Sequence, residues 1–372
     1  MKSAHILVIG GGIGGLTAAI ALRGKGFEVD VIERDATWSV YGVGIIQQSN
    51  VVRAMKQLDL LDDYVAAGFG FDHVSVRIPT GVEVARIPTP GLVPGYPPNV
   101  GIGRPALHKV LGDRTIGAGA TVRLGVTATS LVDDGAGVDA TFSDGTTGRY
   151  DLVVGADGLY SQTRQSIFPD APVPVFTGQA VWRYNLPRHP DVAGLWAYEG
   201  PTGVGLVPLS DALMYMYVTT PEPDNPWLDT EGLAAAMRER LAKIPAPDLR
   251  ALVEHITDDA AVVYKPLEWL FIDGPWHKGR IVLIGDAVHA TTPHLGQGAG
   301  MAIEDAIVLS EELVAADDPV AAFEAFEDRR LDRCRYIVEA SLAICLGQIG
   351  KGPLMDNAAA TRAMFVEVSQ PI

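Results

Sequence analysis

The sequence predicts an α/β fold in which a Rossmann-like parallel sheet is interrupted by an inserted antiparallel sheet and followed by C-terminal helices. Residues 5–32 contain a strand, a glycine-rich turn, a helix and a second strand, the order of a βαβ unit with parallel strands. In Pro172–Thr219, β-type runs with Trp, Tyr and Met are separated by Pro and Gly, without helical periodicity. A buried strand-like run, Arg280–Ile284, then precedes further helical patterns. The parallel-sheet domain is therefore predicted to be discontinuous along the chain.

Each element follows from its local pattern. His5–Ile9 is an apolar run with β-branched residues, which favours a buried strand. Leu16–Leu22 is predicted as a helix ended by nearby glycines, and Phe27–Ile32 as the second strand. The later predictions are a helix over Pro105–Ile116, strands over Val122–Leu124, Gly137–Phe142 and Tyr150–Val154, two short helices within Thr230–His255, and helices over Gln297–Ala315 and Pro319–Leu346.

Composition limits the class of function. The 372 residues carry a formal net charge of −16 and no long run of Lys or Arg, which disfavours a nucleic-acid-binding protein. No apolar stretch reaches the ~20 residues that a membrane span needs. We therefore expect no membrane span, no nucleic-acid partner, a cytoplasmic location, and a monomer or homodimer.

The two cysteines predict neither a disulfide nor a metal site. Cys334 and Cys345 fall on one predicted helix, where a rise of 1.5 Å per residue separates them by roughly 16 Å, too far for a disulfide. No Cys and His residues have zinc-site spacing. We interpret both thiols as helix-packing groups and expect no bound metal.

The glycine-rich turn carries the first chemical signal. Gly10–Gly15 contains G-x-G-x-x-G between the predicted strand and helix. In such a turn Gly10 permits the tight bend, Gly12 lets the backbone approach a pyrophosphate, and Gly15 allows close packing of helix on strand. Glu33 lies about 20 residues on, at the end of the next strand, where it can accept from a ribose hydroxyl. These features predict dinucleotide binding but do not separate NAD from FAD.

Two further motifs separate the cofactors. Gly279–Ala287 has a strand followed by Gly-Asp, and Thr291–Gly300 supplies Pro-x-x-Gly-Gln-Gly before a long helix. Val153–Gly158 lies between the two fingerprints. Together with the N-terminal turn, these motifs resemble the class A flavin monooxygenases, the family with the p-hydroxybenzoate hydroxylase fold. The resemblance extends over nearly the whole chain, and Gly42–Ile45 and Arg104 with Leu107 also match the family.

The resemblance implies an FAD-dependent monooxygenase. FAD would be held tightly without a covalent link, and NADH or NADPH would bind transiently. The reaction would hydroxylate a small aromatic or heteroaromatic substrate with O2 through a flavin C4a-hydroperoxide. A halogenase or reductase of the same fold remains an alternative, as does a non-catalytic flavin-binding redox sensor. An NAD-dependent dehydrogenase is disfavoured because the C-terminal motifs would be unexplained.

The resemblance also assigns cofactor contacts. The set comprises Gly10, Gly12, Ile13, Gly14, Gly15, Glu33, Arg34, Gly44, Arg104, Ala128, Asp157, Asp286, Pro293, Gly296, Gly298, Ala299 and Gly300. Asp286 would bind ribityl or ribose hydroxyls, with a turn-capping role as the alternative. Arg104 would contact phosphate or ribityl oxygens, or else form a surface ion pair. Asp157 is expected either near the flavin and nicotinamide or simply in a turn at a strand end.

Substrate contacts are predicted less directly. His294, after Pro293, is the candidate for a substrate contact and for a catalytic base, with a solvent-facing loop His as the alternative. Arg183 would hold an anionic substrate or a developing phenolate, unless it faces solvent. Tyr215 and Gln48 complete the predicted substrate set. His289 is expected to be structural.

The domain boundaries follow from these assignments. The FAD-binding domain is predicted over residues 1–75, 98–170 and 270–330. The substrate-binding domain is predicted over residues 76–97 and 171–269. Residues 331–372 are predicted as a C-terminal helical segment.

Overall fold

The computed structural model describes residues 4–372 and contains three classes of element: strands, α-helices and short turns. The strands are β1 His5–Ile9, β2 Glu28–Glu33, β3 Gly44–Gln47, β4 Phe69–Phe71, β5 His73–Arg77, β6 Glu83–Pro88, β7 Asn99–Gly103, β8 Thr121–Leu124, β9 Ala128–Asp133, β10 Val138–Phe142, β11 Thr147–Tyr150, β12 Leu152–Gly155, β13 Val175–Pro187, β14 Leu195–Tyr198, β15 Gly203–Pro208, β16 Leu213–Pro221, β17 Val263–Trp269, β18 His277–Lys278 and β19 Ile281–Leu283. The helices are α1 Ile13–Gly24, α2 Ser49–Gln57, α3 Leu61–Ala66, α4 Arg104–Gly117, α5 Gln162–Ile167, α6 Leu233–Leu241, α7 Pro247–Val253, α8 Asp286–His289, α9 Gly298–Ala315, α10 Pro319–Gln348 and α11 Asn357–Ser369.

The parallel sheet forms around the N-terminal strand. Its six strands have the order β18-β19-β12-β1-β2-β8, and every neighbouring pair except β18–β19 is parallel. Buried apolar side chains fill β1, β12 and β19, as expected when helices cover both faces of a sheet. The α/β class and the discontinuous parallel sheet predicted from the sequence are confirmed.

The inserted sheet has seven strands in the order β17-β13-β16-β15-β14-β5-β6. All neighbours are antiparallel except β14 and β5, which pair in parallel. The predicted antiparallel sheet is therefore confirmed, with one parallel pair that the sequence did not indicate. That pair arises because β5 and β6 come from residues 73–88, far from the rest of the sheet in sequence.

The prediction of one continuous strand over Tyr150–Val154 was wrong. Tyr150–Val154 is divided at Asp151, since β11 pairs with β10 in a small antiparallel sheet and β12 enters the parallel sheet. Asp151 is exposed, and its carboxylate accepts a hydrogen bond from His5 N at 2.7 Å. The local apolar pattern could not show that the chain passes between two sheets at this residue.

Three helices, α1, α4 and α10, continue past their predicted limits. Helix α10 spans 30 residues, so the proposed domain boundary at 330/331 falls inside it, while the division into domains stays a prediction. Helices α2, α3, α5 and α11 were not predicted from the sequence. Both cysteines lie buried and free on α10. No helix within residues 4–372 has the length and apolar character required to traverse a bilayer.

Candidate active site

A cavity of about 920 Å³ lies between the parallel sheet and the inserted sheet. Its walls come from the β1–α1 turn, the loop after β2, the start of α4, one face of the inserted sheet, the segment 284–302, and the C-terminal helices. The volume lies in the range of cofactor and ligand sites. The elements that bear the sequence motifs therefore meet at one site.

The glycine-rich turn is built to bring its backbone to this cavity. Gly10 has φ of +110°, and a Cβ there would lie 2.4 Å from Ala156 O. A Cβ on Gly15 would lie 1.9 Å from Gly10 O, so this glycine is required for packing. Gly12 has no neighbour within 4 Å of an added Cβ and lines the cavity. Packing thus explains Gly10 and Gly15, whereas Gly12 leaves open space beside the start of α1.

Glu33 closes one end of this turn. Its carboxylate accepts hydrogen bonds from Gly11 N at 2.8 Å and from Asp35 N at 2.8 Å, and it lines the cavity. Trp38 Nε1 donates to Gly11 O at 2.9 Å on the other side of the peptide. The carboxylate is held by backbone amides and still has lone pairs for a ligand hydroxyl.

Asp286 and Arg104 face the cavity from different elements. Asp286 follows Gly285, whose φ is +62° and whose amide donates to Asp305 Oδ2 at 2.9 Å. The Asp286 side chain is accessible from the cavity but surrounded by protein, and this burial raises its pKa against the opposing effects of His289 and Arg104. Burial likewise lowers the pKa of Arg104. Within residues 4–372 no group accepts a hydrogen bond from the Arg104 guanidinium, so a ligand is its natural partner.

Arg183 is the second cation that lines the cavity. It extends from β13, where Tyr217 is its register partner on β16. Burial, followed by repulsion from Arg104, lowers its pKa to about 10. Across the described part of the chain, no protein group accepts a hydrogen bond from this guanidinium or forms a salt bridge with it. The predicted solvent-facing alternative is not what the structure shows.

His294 lies on the cavity wall but is held on both sides. Its Nδ1 is 3.0 Å from Thr292 Oγ1 and its Nε2 is 3.1 Å from Gln348 Oε1. Burial lowers the pKa of the imidazole to about 4, with a smaller opposing effect from Gln348. The ring is therefore neutral at pH 7. A neutral imidazole offers no positive charge to an anionic ligand at this pH.

Gln48 shapes the wall through a buried amide cluster. Its Oε1 accepts a hydrogen bond from Gln297 Nε2, and Gln297 Oε1 accepts from Asn50 Nδ2 at 2.9 Å. Asn50 Nδ2 also donates to Glu304 Oε1 at 3.0 Å. This cluster fixes the residue that precedes α9. The first intrahelical bond of α9 runs from Met301 N to Gln297 O, which leaves the earlier amides free at the cavity, as at any helix N-terminus.

A buried charge network supports the Gly285–Asp286 turn. His289 Nε2 is 2.7 Å from Asp305 Oδ2, and Asp305 Oδ1 accepts from Arg330 Nε at 2.9 Å. Burial opposes ionisation of both partners, but Cys334 and Asp305 raise the pKa of His289, while His289 and Arg330 hold the pKa of Asp305 at about 2. His289 is thus a structural residue, as predicted.

The same network brings three metal-ligand types together. Ligand atoms of His289, Asp305 and Cys334 all lie within 4.8 Å of one another. Arg330 donates to Asp305 and contacts Cys334 Sγ at 3.6 Å, so a positive charge already occupies this space. The arrangement is that of an ion-pair network.

The predicted site residues fall into two groups. Those that line the cavity are Gly12, Ile13, Gly14, Glu33, Arg34, Gly44, Gln48, Arg104, Arg183, Tyr215, Asp286, Pro293, His294, Gly296, Gly298 and Ala299. Those that do not line it are Gly10, Gly15, Ala128, Asp157 and Gly300. Asp157 accepts from Ser161 Oγ at 2.5 Å and from Thr163 N at 3.0 Å, so it holds the turn before α5. Ala128 begins β9 opposite Phe142.

Several cavity residues were missed by the sequence reasoning. They include Tyr41, Val76, Ala197, Lys265, Gln348 and Met364. Lys265 Nζ lies 4.9 Å from the centre of the Tyr41 ring, which joins the loop after β2 to the inserted sheet. No local motif marks these residues, because they converge only through the pairing of distant strands and the folding back of α11.

The fold and this site define a class A FAD-dependent aromatic monooxygenase, and comparisons with known proteins agree. The model of the FAD binding domain family matches residues 3–341, so the chain belongs to this family. The chain is 30% identical over 354 residues to aurachin C monooxygenase/isomerase of Stigmatella aurantiaca, with 93% of this chain and 89% of the relative covered. It is likewise 30% identical over 352 residues to 2-heptyl-3-hydroxy-4(1H)-quinolone synthase of Pseudomonas aeruginosa (strain UCBPP-PA14), with the same coverage.

Solved structures support the same assignment. The crystal structure of Klebsiella pneumoniae HpxO complexed with FAD and uric acid resembles this chain with a TM-score of 0.82 and 26% identity. The likeness covers 98% of this chain and 92% of HpxO. The protein is therefore an FAD-dependent monooxygenase, and the predicted family, enzyme class and flavin cofactor are confirmed.

The residues present suit FAD. Gly12 provides open space next to the N-terminus of α1, where a pyrophosphate is favoured by free amides and the helix dipole. Arg104 offers an unpaired guanidinium to phosphate or ribityl oxygens. The free amides at the start of α9, beside Gly298 and Ala299, supply donors for the flavin ring.

Proposed function

We propose that this monooxygenase hydroxylates a small aromatic or heteroaromatic compound that carries an ionisable oxygen, with NADH or NADPH as reductant. One observation carries the proposal: the Arg183 guanidinium lines the cavity without a protein acceptor. An enclosed cation without a partner favours an anionic ligand, because a charge-assisted hydrogen bond offsets the loss of water. An ionised oxygen on the substrate supplies that partner.

The neighbouring side chains favour a flat ligand. Tyr215 and Tyr217 line the cavity beside Arg183, with ring centres 6.1 Å apart and an interplanar angle of 42°. Aromatic faces and edges of this kind pack well against a planar ring. The relatives support this substrate class, since one is named for a quinolone and HpxO was solved with uric acid, both oxygen-bearing heteroaromatic rings.

The overall reaction consumes one NAD(P)H, one proton and one O2 for each substrate hydroxylated. NAD(P)H and a proton supply two electrons, one atom of O2 enters a ring C–H bond as hydroxyl, and the other atom leaves as water. FAD supplies the redox chemistry when bound, by taking electrons from the nicotinamide and delivering oxygen to the ring. The protein supplies position, charge and exclusion of water.

The protein's residues divide these tasks. Arg183 favours the ionised form of the substrate oxygen and thereby makes the ring more electron-rich. Tyr217 and Val181 of the inserted sheet line the cavity, where they would cover the ring and exclude water. His294 stays neutral and anchors Gln348, so we propose it as a substrate contact whose role as a base requires release of Thr292.

The experiment that tests this function is anaerobic reduction of the FAD-loaded enzyme by NADH and by NADPH. Stopped-flow absorbance would follow reduction with and without oxygen-bearing aromatic and heteroaromatic ligands that perturb the flavin spectrum. We expect an effective substrate to accelerate reduction by one of the two nicotinamides. Equal rates with and without every ligand that binds would contradict the proposal.

A further inference from the structure

The cavity face of the inserted sheet is polar at one end and aliphatic at the other. Strand register aligns Arg183 of β13, Tyr217 of β16, Gly205 of β15, Ala197 of β14 and Val76 of β5 in one row across the sheet. Four of these side chains line the cavity, and a Cβ at Gly205 would lie 2.0 Å from the Tyr217 ring. The row therefore changes from cation and phenol to small and aliphatic groups.

A second row of register partners across the sheet also changes from polar to aliphatic side chains. Asn185 of β13 aligns with Tyr215 of β16, which aligns with Val207 of β15. Leu195 of β14 and Val74 of β5 are register partners on the same face as Ala197, and both line the cavity. The intervening side chain Trp196 faces the opposite side, where Arg77 stacks on it at 3.7 Å.

The aliphatic part of this face spans two strands. We call the side chains Val74, Val76, Leu195 and Ala197 the aliphatic end; they belong to two paired strands, β5 and β14. At about 4.8 Å per strand spacing, the row from β13 to β5 extends for about 19 Å. This row is longer than one aromatic ring. A ring bound at Arg183 would therefore leave the apolar side chains at the other end of the row without a contact.

Charge at the far rim orients such a compound. Glu199 follows β14 on the same alternation as Ala197 and lines the cavity. Within residues 4–372 no side chain or amide donates a hydrogen bond to its carboxylate, and burial, followed by the charge of Asp356, raises its pKa. An ionised Glu199 at this rim repels an anionic group, while Arg183 attracts one at the other end.

We infer that the substrate is amphipathic: an oxygen-bearing aromatic head at Arg183 with an uncharged apolar tail along the aliphatic end. This inference rests on the proposed function and names the substrate class of the same site. The head presents an ionised oxygen to Arg183 and a ring face to Tyr217. The tail passes the Tyr217 ring, which covers Gly205, and lies against Ala197 and Val76. The small side chain of Ala197 leaves room for the tail.

The test uses the FAD-loaded full chain and a series of 3-alkylphenols with straight chains of one to nine carbons, with phenol as the chainless probe. Binding is followed by the perturbation of the flavin spectrum. Each methylene that enters the aliphatic end should tighten binding by about fourfold, until the end is filled. Ala197→Phe should remove the chain-length dependence, measured as the affinity of each alkylphenol relative to that of phenol for the same variant. Ala197→Val should also reduce the chain length at which the affinity stops increasing, but by a smaller amount.

Ala136→Phe is the matched control, because Ala136 lies at an exposed turn far from the cavity. It should leave the dependence on chain length intact. Affinity that does not increase with chain length, or that increases equally in Ala197→Phe, overturns the inference. Chain-dependent binding without any hydroxylated product counts instead against the proposed function, so the two failures are distinguishable.

Discussion

His294 Nε2 lies 3.1 Å from Gln348 Oε1, and this contact decides which nitrogen carries the proton. An amide oxygen only accepts, so the neutral ring donates from Nε2 and accepts the Thr292 hydroxyl at Nδ1, 3.0 Å away. Gln348 Oε1 also accepts from Gln179 Nε2 at 3.0 Å. The end of α10 is thereby joined to the cavity wall and to the inserted sheet.

The first prediction concerns the pH dependence of stability. Burial lowers the pKa of His294 to about 4 from 6.5, so the unfolded state binds its proton first as the pH falls. Above pH 6.5 His294 is neutral in both states and does not affect the free energy of unfolding. As the pH falls from 6.5 to 4, the unfolded state gains the proton and the folded state loses stability relative to it. His294→Gln should remove about 1–2 kcal/mol of the difference in unfolding free energy between pH 7 and pH 5. Urea denaturation of both proteins at the two pH values measures it, and parallel pH profiles would contradict it.

The second prediction separates the two cavity arginines. Arg104→Met should weaken FAD binding about 10- to 100-fold, because a charge-assisted hydrogen bond is lost. Arg183→Met should keep FAD and raise KM for an anionic substrate by a similar factor. Arg250→Met, on an exposed helix surface, is the control and should change neither. Flavin titration and steady-state kinetics measure the two effects, and a loss of FAD in Arg183→Met would refute the division.

The third prediction compares two glycines of one turn. Gly12→Ala meets no atom within 4 Å, so the free energy of unfolding of the flavin-free protein should stay within about 0.5 kcal/mol. FAD binding should still weaken, because the methyl group occupies the approach to the pyrophosphate. Gly15→Ala places a Cβ 1.9 Å from Gly10 O and should destabilise the fold itself. Equal thermal stability of both variants would show that the turn is looser than described.

The glycine turn also shows how much of the site can be predicted from the sequence. Spacing predicts separate roles for Gly10, Gly12 and Gly15. The close contacts at Gly10 and Gly15 agree with a tight turn and close packing, while the approach of a pyrophosphate to Gly12 stays a prediction. The inserted sheet was predicted from its strand pattern. Ala197 and Gln348 could not be predicted, because register across five strands and the return of α10 depend on contacts distant in sequence. The resemblance assigns Ala128 and Asp157 to the cofactor site, but neither residue is among those that line the cavity.

The fourth prediction concerns Asp286. Its carboxylate faces the cavity, and burial raises its pKa, so a ligand hydroxyl is a favourable partner. Asp286→Ala should weaken FAD binding by about 1–3 kcal/mol, as for a hydrogen bond to a charged group. Asp170→Ala, at an exposed position, should leave the flavin affinity unchanged. Identical dissociation constants for wild type and Asp286→Ala would assign the residue to the turn alone.

The last prediction is the most direct test of the central claim, that this cavity inserts oxygen from O2 into an aromatic ring. The FAD-loaded enzyme is supplied with NADH or NADPH and an effective substrate under oxygen-18 gas, and the product mass is measured. We expect one heavy oxygen atom in the product, a mass gain of about 18 over the substrate, because one atom of O2 enters a C–H bond. A hydroxylated product that carries only oxygen from water, or NAD(P)H consumption that yields only hydrogen peroxide with every substrate that binds, would contradict it.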